Sequence, residues 1–299
     1  MSSKSHISKK PLLMESNWVS TQEQYYSALT SKHVAPLWTV LNKMVPPSPN
    51  PITRVTVWSY ESIRPVLMES GSLISAEEAE RRVLMLVNPT LGAPYTTDTI
   101  YAGLQLILPG ETAPAHRHVA FALRFIVEGS RGFTAVEGQK MMMERGDVIL
   151  TPSWHWHDHG SEGTGPMNYS EARYLSTLAE NSSWKFPWAR TAAALNNYQF
   201  RRTLRTAERV AAGRKTKSLG ETVSFVYHIF EGEGYSTIIT PDEMEEQVEW
   251  KAKDTFSVPA WSAVSHTCTL KDGNAYMFAI NDRPMIEALG LQKRELAPV

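Results

Sequence analysis

The histidines of this chain are concentrated in one stretch, Gly110 to Gly160, which holds five of the nine in the whole sequence. They form two clusters at the two ends of the stretch, His116 and His118 first, then His155, His157 and His159. Within each cluster every second residue is a histidine. Because strand side chains alternate between two faces, each cluster can present its imidazoles on one face of a strand.

Between the clusters, short apolar and β-branched runs are separated by glycines, as in FALRFIVEG and RGDVILTP. This pattern is typical of antiparallel strands joined by tight turns. Folding such hairpins back would bring the two histidine clusters together, so the stretch predicts a metal site inside a small β-barrel. The alternative is a set of buried or surface histidines that bind no metal. Imidazole suits iron, copper, zinc and nickel, so ligand type alone does not choose among these metals.

The composition of the chain narrows the classes of function. Its 299 residues include 30 basic and 31 acidic side chains, so there is no positive excess to hold a nucleic acid backbone. Cys268 is the single cysteine, which excludes an intramolecular disulfide and a cysteine-based zinc site. No apolar run has the length of a membrane span, and the N-terminus lacks the apolar core of a signal peptide. We therefore expect a cytoplasmic protein with no nucleic acid or membrane partner.

An internal repeat links the two halves of the chain. The segment RGDVILTPSWHWHDH resembles KDTFSVPAWSAVSH, and the retained pairs are Asp147 and Asp254, Pro152 and Pro259, Trp154 and Trp261, and His159 and His266. The other histidines are not repeated: His157 corresponds to Val264, and the first histidine pair corresponds to Leu219 and Glu221. The repeat predicts two similar barrels, of which only the first has a full set of ligands.

These observations predict four regions along the chain. They are a helical and strand region at 1–95, a first barrel with the metal site at 96–165, a linker with a helix at 166–205, and a second barrel with a C-terminal helix at 206–299. In the first region, Ser75 followed by Glu78 predicts the capping box of a short helix.

Two motifs in the central stretch resemble those of the cupin family. The pattern G-x5-H-x-H occurs at Gly110, and G-x5-P-x-W-x2-H occurs at Gly146, while Ala122 stands where the usual cupin glutamate falls. This three-histidine variant, with APAHRH, ALRFIVEG and GDVILTPSW, resembles the gentisate 1,2-dioxygenase group, which includes salicylate and 1-hydroxy-2-naphthoate dioxygenases. The resemblance implies a mainly β fold, a bicupin of two double-stranded β-helix barrels with N-terminal helices, and a linker that is shorter than usual.

The resemblance also assigns candidate site residues. It implies Fe(II) as the cofactor, dioxygen as the co-substrate, and three metal ligands, His116, His118 and His157. His159 and Arg124 are the catalytic candidates. The candidates for substrate binding are Arg124, Tyr101, Gly103, Gln105 and Arg82, with Arg81 as a further candidate for carboxylate contact. The alternatives are that Arg124 pairs with an acidic residue, that the strand residues are ordinary inward-facing ones, and that the adjacent arginines are solvated.

The activity implied is cleavage of the aromatic ring of an ortho-hydroxy aromatic acid, between the carbons that bear the carboxyl and hydroxyl groups. Gentisate, which would give maleylpyruvate, is the favoured substrate, with salicylate and 1-hydroxy-2-naphthoate as alternatives. A homotetramer is implied as well. Two other readings remain open: a catalytically impaired bicupin that binds a metal or a small acid, and a different three-histidine reaction such as cleavage of a diketone or oxidation of a thiol.

Overall fold

A computed structural model describes residues 21–120, 122–174 and 205–296. The chain divides into two compact units, Met1–Ser48 and Pro49–Val299. In the described part of the first unit, the helices are α1 (Gln22–Thr30), a 3-10 turn (Leu37–Thr39) and α2 (Leu41–Met44). None of the residues in these helices is buried. The helix expected in the linker lies outside the described residues.

The second unit contains three further helices, α3 (Tyr60–Leu73), α4 (Ala76–Ala79) and α5 (Arg283–Ala288). Helix α4 begins as expected, because the Ser75 hydroxyl accepts a hydrogen bond from the Glu78 amide at 3.1 Å. Among the described residues, no helix combines the length and the apolar character needed to cross a membrane.

The other elements described in the second unit are strands. They are β1 (Thr56–Trp58), β2 (Arg82–Met85), β3 (Ile100–Ile107), β4 (Thr112–His116), β5 (Ala122–Glu128), β6 (Ser130–Val136), β7 (Gln139–Glu144), β8 (Val148–Thr151), β9 (His157–Ser161), β10 (Met167–Tyr174), β11 (Arg205–Ala211), β12 (Leu219–Glu221), β13 (Phe225–Glu231), β14 (Glu233–Ile239), β15 (Glu245–Lys251), β16 (Thr255–Val258), β17 (Ala263–Cys268), β18 (Asn274–Asn281) and β19 (Arg294–Leu296).

These strands form two barrels of two sheets each. The first barrel combines the sheets β2-β3-β10-β5-β8 and β4-β9-β6-β7, and the second combines β1-β16-β13-β18-β11 and β15-β14-β17-β12-β19. Within the described strands every pairing in the first barrel is antiparallel. The predicted mainly β, two-barrel fold is confirmed. Strands β1 and β2 extend one sheet in each barrel, so the region before residue 96 takes part in both.

Strand β10 lies beyond the expected end of the first barrel at residue 165. It pairs with β3 on one side and β5 on the other, in the middle of the sheet. Its sequence, MNYSEARY, is rich in polar residues and lacks the apolar run of a buried strand, which is why the sequence placed it in the linker.

Strand β5 shows how packing prepares the site. All its residues up to Val127 are buried, because the strand is covered on both faces. Leu123, Phe125 and Val127 join the core shared with the second barrel, where the Phe125 ring stacks on Phe278 at 5.3 Å between centroids. The alternate residues, Arg124 among them, therefore face the interior of the first barrel.

Candidate metal centre

The pairing of β4 with β9 brings the two histidine clusters together. His116, the last residue of β4, is directly opposite His157, the first residue of β9, and their ring centroids are 4.1 Å apart. The ring of His118 lies 5.3 Å from that of His116 and 4.8 Å from that of His157. Three imidazoles from two neighbouring segments thus meet at one point of the barrel.

Hydrogen bonds orient these three rings in the same way. His116 Nδ1 donates to the Pro114 carbonyl oxygen at 3.2 Å, and His157 Nδ1 donates to the His155 carbonyl oxygen at 2.9 Å. His118 Nδ1 donates to the carbonyl oxygen of Ala120. The Nε2 atoms of all three rings are buried, and those of His116 and His157 have no hydrogen-bond partner among the described residues. A histidine that ligates a metal is held in this way, with the proton on one nitrogen fixed and the other nitrogen left for the ion.

The protonation state of the rings also suits metal binding. Burial lowers the pKa of His116 to about 4, with the charge of Arg81 as the next cause. Burial lowers the pKa of His157 to about 3. Both rings are therefore neutral at neutral pH and keep the lone pair that a metal ligand must offer. The donor set fits a divalent transition metal.

His159 is close to these rings but is bonded differently. Its side chain is fully buried, and the ligand-type nitrogens of His116, His157 and His159 lie within 4.8 Å of one another. Distance alone would thus choose His159 in place of His118. However, Arg124 Nη2 donates to His159 Nε2 at 2.8 Å, and Thr134 Oγ1 lies 2.9 Å from His159 Nδ1. The hydrogen bonds favour His118 as the ligand, because a nitrogen that accepts from a guanidinium has no lone pair left for a metal.

The tautomer of His159 follows from the same network. The Thr134 hydroxyl donates its hydrogen to the Asp158 carbonyl oxygen at 2.9 Å, so its oxygen accepts from His159 Nδ1. Nε2 is then the unprotonated nitrogen. Burial, followed by the charge of Arg124, holds the pKa of His159 well below its ordinary value and keeps the ring neutral. Arg124 is also fully buried, and its Nη1 donates to the Thr151 hydroxyl at 2.7 Å.

The candidates on β3 share the interior face with Arg124. Gly103 on β3 and Arg124 on β5 pair with the same residue of β10, so the two positions lie on one face of the sheet. Tyr101 and Gln105 are each two residues from Gly103 and lie on the same face. Gln105 is buried, and its Oε1 has no hydrogen-bond partner among the described residues. Gly103 has no room for a side chain, since a Cβ there would lie 2.7 Å from Val83 Cγ1. The structure thus places Tyr101, Gly103, Gln105 and Arg124 on one wall.

The two adjacent arginines differ in their surroundings. The guanidinium of Arg82 is buried and forms a two-bond ion pair with Glu111, at 2.8 and 2.7 Å. This pair ties β2 to the turn that precedes β4, and a contact of Arg82 with substrate stays a prediction. Arg81, in contrast, lies close enough to His116 to lower the pKa of that ring. The sequence offered no signal to separate the two.

The second barrel repeats the framework of the site without its ligands. Ser236 Oγ lies 2.8 Å from His266 Nδ1, as Thr134 lies beside His159. In contrast, Leu219 is opposite Val264 where the first barrel has His116 opposite His157. Within the described residues, one group of three or more candidate metal-binding side chains is found, and it lies in the first barrel.

The fold and the site define a cupin, and a cupin domain model matches residues 103–172. Gentisate 1,2-dioxygenase 1 of Aquipseudomonas alcaligenes is 32% identical over 336 residues, covering 90% of this chain and 94% of the relative. A 5-aminosalicylate 1,2-dioxygenase of Comamonas sp. is 28% identical and covers 88% of this chain and 87% of the relative. Salicylate 1,2-dioxygenase of Pseudoaminobacter salicylatoxidans, solved as adducts with gentisate, superposes with a TM-score of 0.77 at 25% identity, covering 94% of this chain and 96% of that one.

The chain therefore belongs to the gentisate 1,2-dioxygenase family and is a ring-cleaving dioxygenase. The resemblance stated from the motifs is confirmed, as are the bicupin fold and the class of enzyme. Membership in this family implies a bound metal and dioxygen, and the first barrel contains a group of three histidines that could hold a metal ion, His116, His157 and His159.

Proposed function

We propose that this protein is an Fe(II)-dependent dioxygenase that cleaves gentisate to maleylpyruvate, opening the ring between the carbons that bear the carboxylate and the adjacent hydroxyl. The observation that carries the proposal is the convergence of His116, His118 and His157 beside the buried pair of Arg124 and His159. Salicylate and 1-hydroxy-2-naphthoate share the carboxylate and ortho hydroxyl and are the alternative substrates.

The three imidazoles would hold the ion through their Nε2 atoms. Fe(II), when bound there, supplies the one-electron chemistry that reaction with dioxygen requires and that zinc lacks. A histidine set without carboxylate leaves the net charge of the loaded site positive, which favours an anionic substrate.

Arg124 would bind and orient the substrate carboxylate. It brings a fixed positive charge into the barrel interior, where a charge-assisted contact with a carboxylate is stronger than in water. The charge of Arg81 near His116 adds to the same field. Gln105 offers its buried amide on the same wall for a further polar contact.

His159 would take up the proton of the substrate hydroxyl. Its Nε2 accepts a hydrogen bond from Arg124, so this nitrogen can accept a proton once the guanidinium turns to the carboxylate. Thr134 fixes the proton on Nδ1 and thereby keeps Nε2 in the accepting form. Closure of the barrel interior around both groups limits access of water to the reacting ring.

Oxygen uptake after anaerobic reconstitution with Fe(II) tests this function. Gentisate, salicylate and 1-hydroxy-2-naphthoate are supplied in parallel, and the ring-opened product is identified by mass spectrometry. We expect gentisate to consume one dioxygen per molecule, with both oxygen atoms retained in the product. Bound iron without oxygen uptake on any of the three acids would favour a bicupin that binds a metal or a small acid.

We also propose that the protein assembles as a homotetramer. Support comes from the segment around α2, where Trp38, Met44 and Val45 are more than half exposed, at 62%, 66% and 68%. Exposed apolar clusters of this kind mark contact surfaces between subunits. Light scattering on the full chain and on a chain lacking residues 1–48 tests this assembly: a tetramer that persists without the segment would place the contact elsewhere.

A further inference from the structure

In the sequence, Arg117 stands between two of the three histidines of the metal centre, and its guanidinium lies over the rings of two tryptophans, with which it forms a cation–aromatic cluster. Its guanidinium carbon lies 4.6 Å from the centroid of the Trp154 ring and 5.0 Å from that of the Trp156 ring. Both distances are within the range of a cation–π interaction, and the flat guanidinium suits stacking on aromatic rings. Both tryptophans are about half exposed, at 54% and 47%, so burial in a core does not account for their position.

The cation–aromatic cluster joins the two segments that supply the histidines. Arg117 belongs to the segment with His116 and His118, and Trp156 directly precedes His157. The backbones of the two segments are also linked, because the Trp154 amide donates to the His118 carbonyl oxygen at 2.8 Å. The side-chain contacts thus add to a backbone contact at the place where the two parts of the metal centre meet.

The second barrel separates what the fold requires from what the metal centre adds. Trp261 corresponds to Trp154, and both have a positive φ, +65° and +64°. The Trp261 amide donates to the Glu221 carbonyl oxygen at 2.7 Å, which repeats the backbone bond of the first barrel. Since the second barrel lacks the ligands, this turn belongs to the barrel fold.

The cation–aromatic cluster itself is not repeated in the second barrel. Strand register places Gly220 at the position of Arg117 and Ala263 at the position of Trp156. The first barrel, which carries the histidines, therefore has the cation and the second indole. The second barrel has a glycine and an alanine at these positions.

We propose that Arg117 is a positioning residue of the metal centre, which holds the His116 and His118 segment against the His157 segment through Trp154 and Trp156. The contacts with the two tryptophans also keep the guanidinium away from the face that carries the ligands. On that face its positive charge would oppose a divalent cation. This inference rests on the proposed metal ligands. Arg117 would touch neither metal nor substrate and would act by preorganising the site.

The test measures binding of Co(II) as a spectroscopic probe, anaerobically, with a competing chelator. The variants are Arg117→Met, Arg117→Lys, Trp156→Leu and Trp156→Phe. Loss of the cation or of the ring should raise the Kd for Co(II) about tenfold, which corresponds to about 1.4 kcal/mol, and should alter the visible absorption of bound Co(II). Arg117→Lys and Trp156→Phe keep a cation and a ring, so they should restore most of the affinity and the wild-type spectrum.

Two controls exclude a general loss of stability. The thermal midpoint of the metal-free Arg117→Met variant should stay within about 2 °C of wild type, as expected for an exposed position. Trp261→Leu removes the half-exposed indole of the second barrel that corresponds to Trp154 and should leave Co(II) affinity unchanged. In a double-mutant cycle, Arg117→Met and Trp156→Leu should not be additive, because they remove the same contact.

Each outcome has a distinct meaning. Wild-type affinity and spectrum in Arg117→Met would overturn the positioning role while leaving the proposed function intact. An equal loss of affinity in Trp261→Leu would overturn it as well, because the effect would then be unspecific. Failure of the wild-type protein to bind Co(II) stoichiometrically would overturn the proposed metal ligands themselves.

Discussion

Arg124 on β5 and His159 on β9 belong to different sheets of the first barrel, and Arg124 Nη2 donates to His159 Nε2 across 2.8 Å in the buried interior. Before substrate enters, the imidazole of His159 is neutral, and the cation of Arg124 covers its accepting nitrogen. A carboxylate that draws the guanidinium away would uncover that nitrogen. With the roles proposed for Arg124 and His159, one hydrogen bond would link substrate binding to readiness of the base.

The choice between His118 and His159 as the third ligand gives the first prediction. His118→Ala should lose stoichiometric iron and keep its circular dichroism spectrum, because a two-histidine site binds a divalent ion weakly. His159→Ala should keep the iron and lose oxygen uptake with gentisate. Metal analysis after desalting measures both. His155→Ala is the matched control and should retain metal and activity; iron lost from His159→Ala but not from His118→Ala would reverse the assignment.

Replacement of Arg124 tests its contact with the substrate carboxylate. Arg124→Lys keeps the charge but loses the two-pronged geometry, so we expect KM for gentisate to rise by about 10- to 100-fold, or about 1.4 to 2.7 kcal/mol. Steady-state oxygen uptake provides the measurement. Arg145→Lys, at the exposed junction with Glu231, serves as the control and should leave KM unchanged. An unchanged KM in Arg124→Lys would assign the carboxylate to another cation, with Arg81 as the next candidate.

Gly103 gives a prediction about packing of the substrate wall. A Cβ at this position would lie 2.7 Å from Val83 Cγ1 and 3.2 Å from the Tyr101 hydroxyl, so Gly103→Ala must displace one of them. We expect a loss of about 1–3 kcal/mol in the free energy of unfolding, measured by urea denaturation. The double variant with Val83→Ala makes room and should recover part of it. Gly165→Ala, where no atom lies within 4 Å, is the control; equal effects at both glycines would contradict this account.

Glu208 in the second barrel gives a prediction about pH. Burial, followed by the charge of Glu221, raises the pKa of Glu208 to about 7 from an ordinary value of 4.5. The folded state therefore holds a proton that the unfolded state has released between about pH 4.5 and pH 7, so stability falls as pH rises through this range. Glu208→Gln should remove this dependence and raise the thermal midpoint at pH 8 by about 2–4 °C, with little change at pH 5.

The size of that effect is limited by solvent, since 25% of the Glu208 side chain is accessible beside His266. Thermal melts from pH 5 to pH 8 on both proteins provide the comparison. Melting curves of wild type and Glu208→Gln that shift in parallel across this range would show that another group controls the pH dependence.

Much of the site could be predicted from sequence because its signals are local. Alternating histidines place imidazoles on one face of a strand, and the repeat around Asp147 and Asp254 predicts a second barrel that lacks His157. The placement of β10 escaped sequence reasoning, since a polar strand between β3 and β5 is stabilised by its neighbours and not by its own pattern. Arg81 and Arg82 look alike in sequence, and the structure distinguishes them: Arg82 pairs with Glu111, and Arg81 lies near His116.

The sequence by itself thus determined the candidates for the chemistry, which are the alternating histidines, and the glycine-spaced strands that bring them together. Tertiary structure alone decided how both nitrogens of His159 are engaged. Thr134 and Arg124, the partners that engage both nitrogens of His159, are 25 and 35 residues away in the chain. The role of this ring depends on the groups that bond to its two nitrogens. Packing between sheets brings those groups there, and the spacing of residues within one strand does not encode that packing.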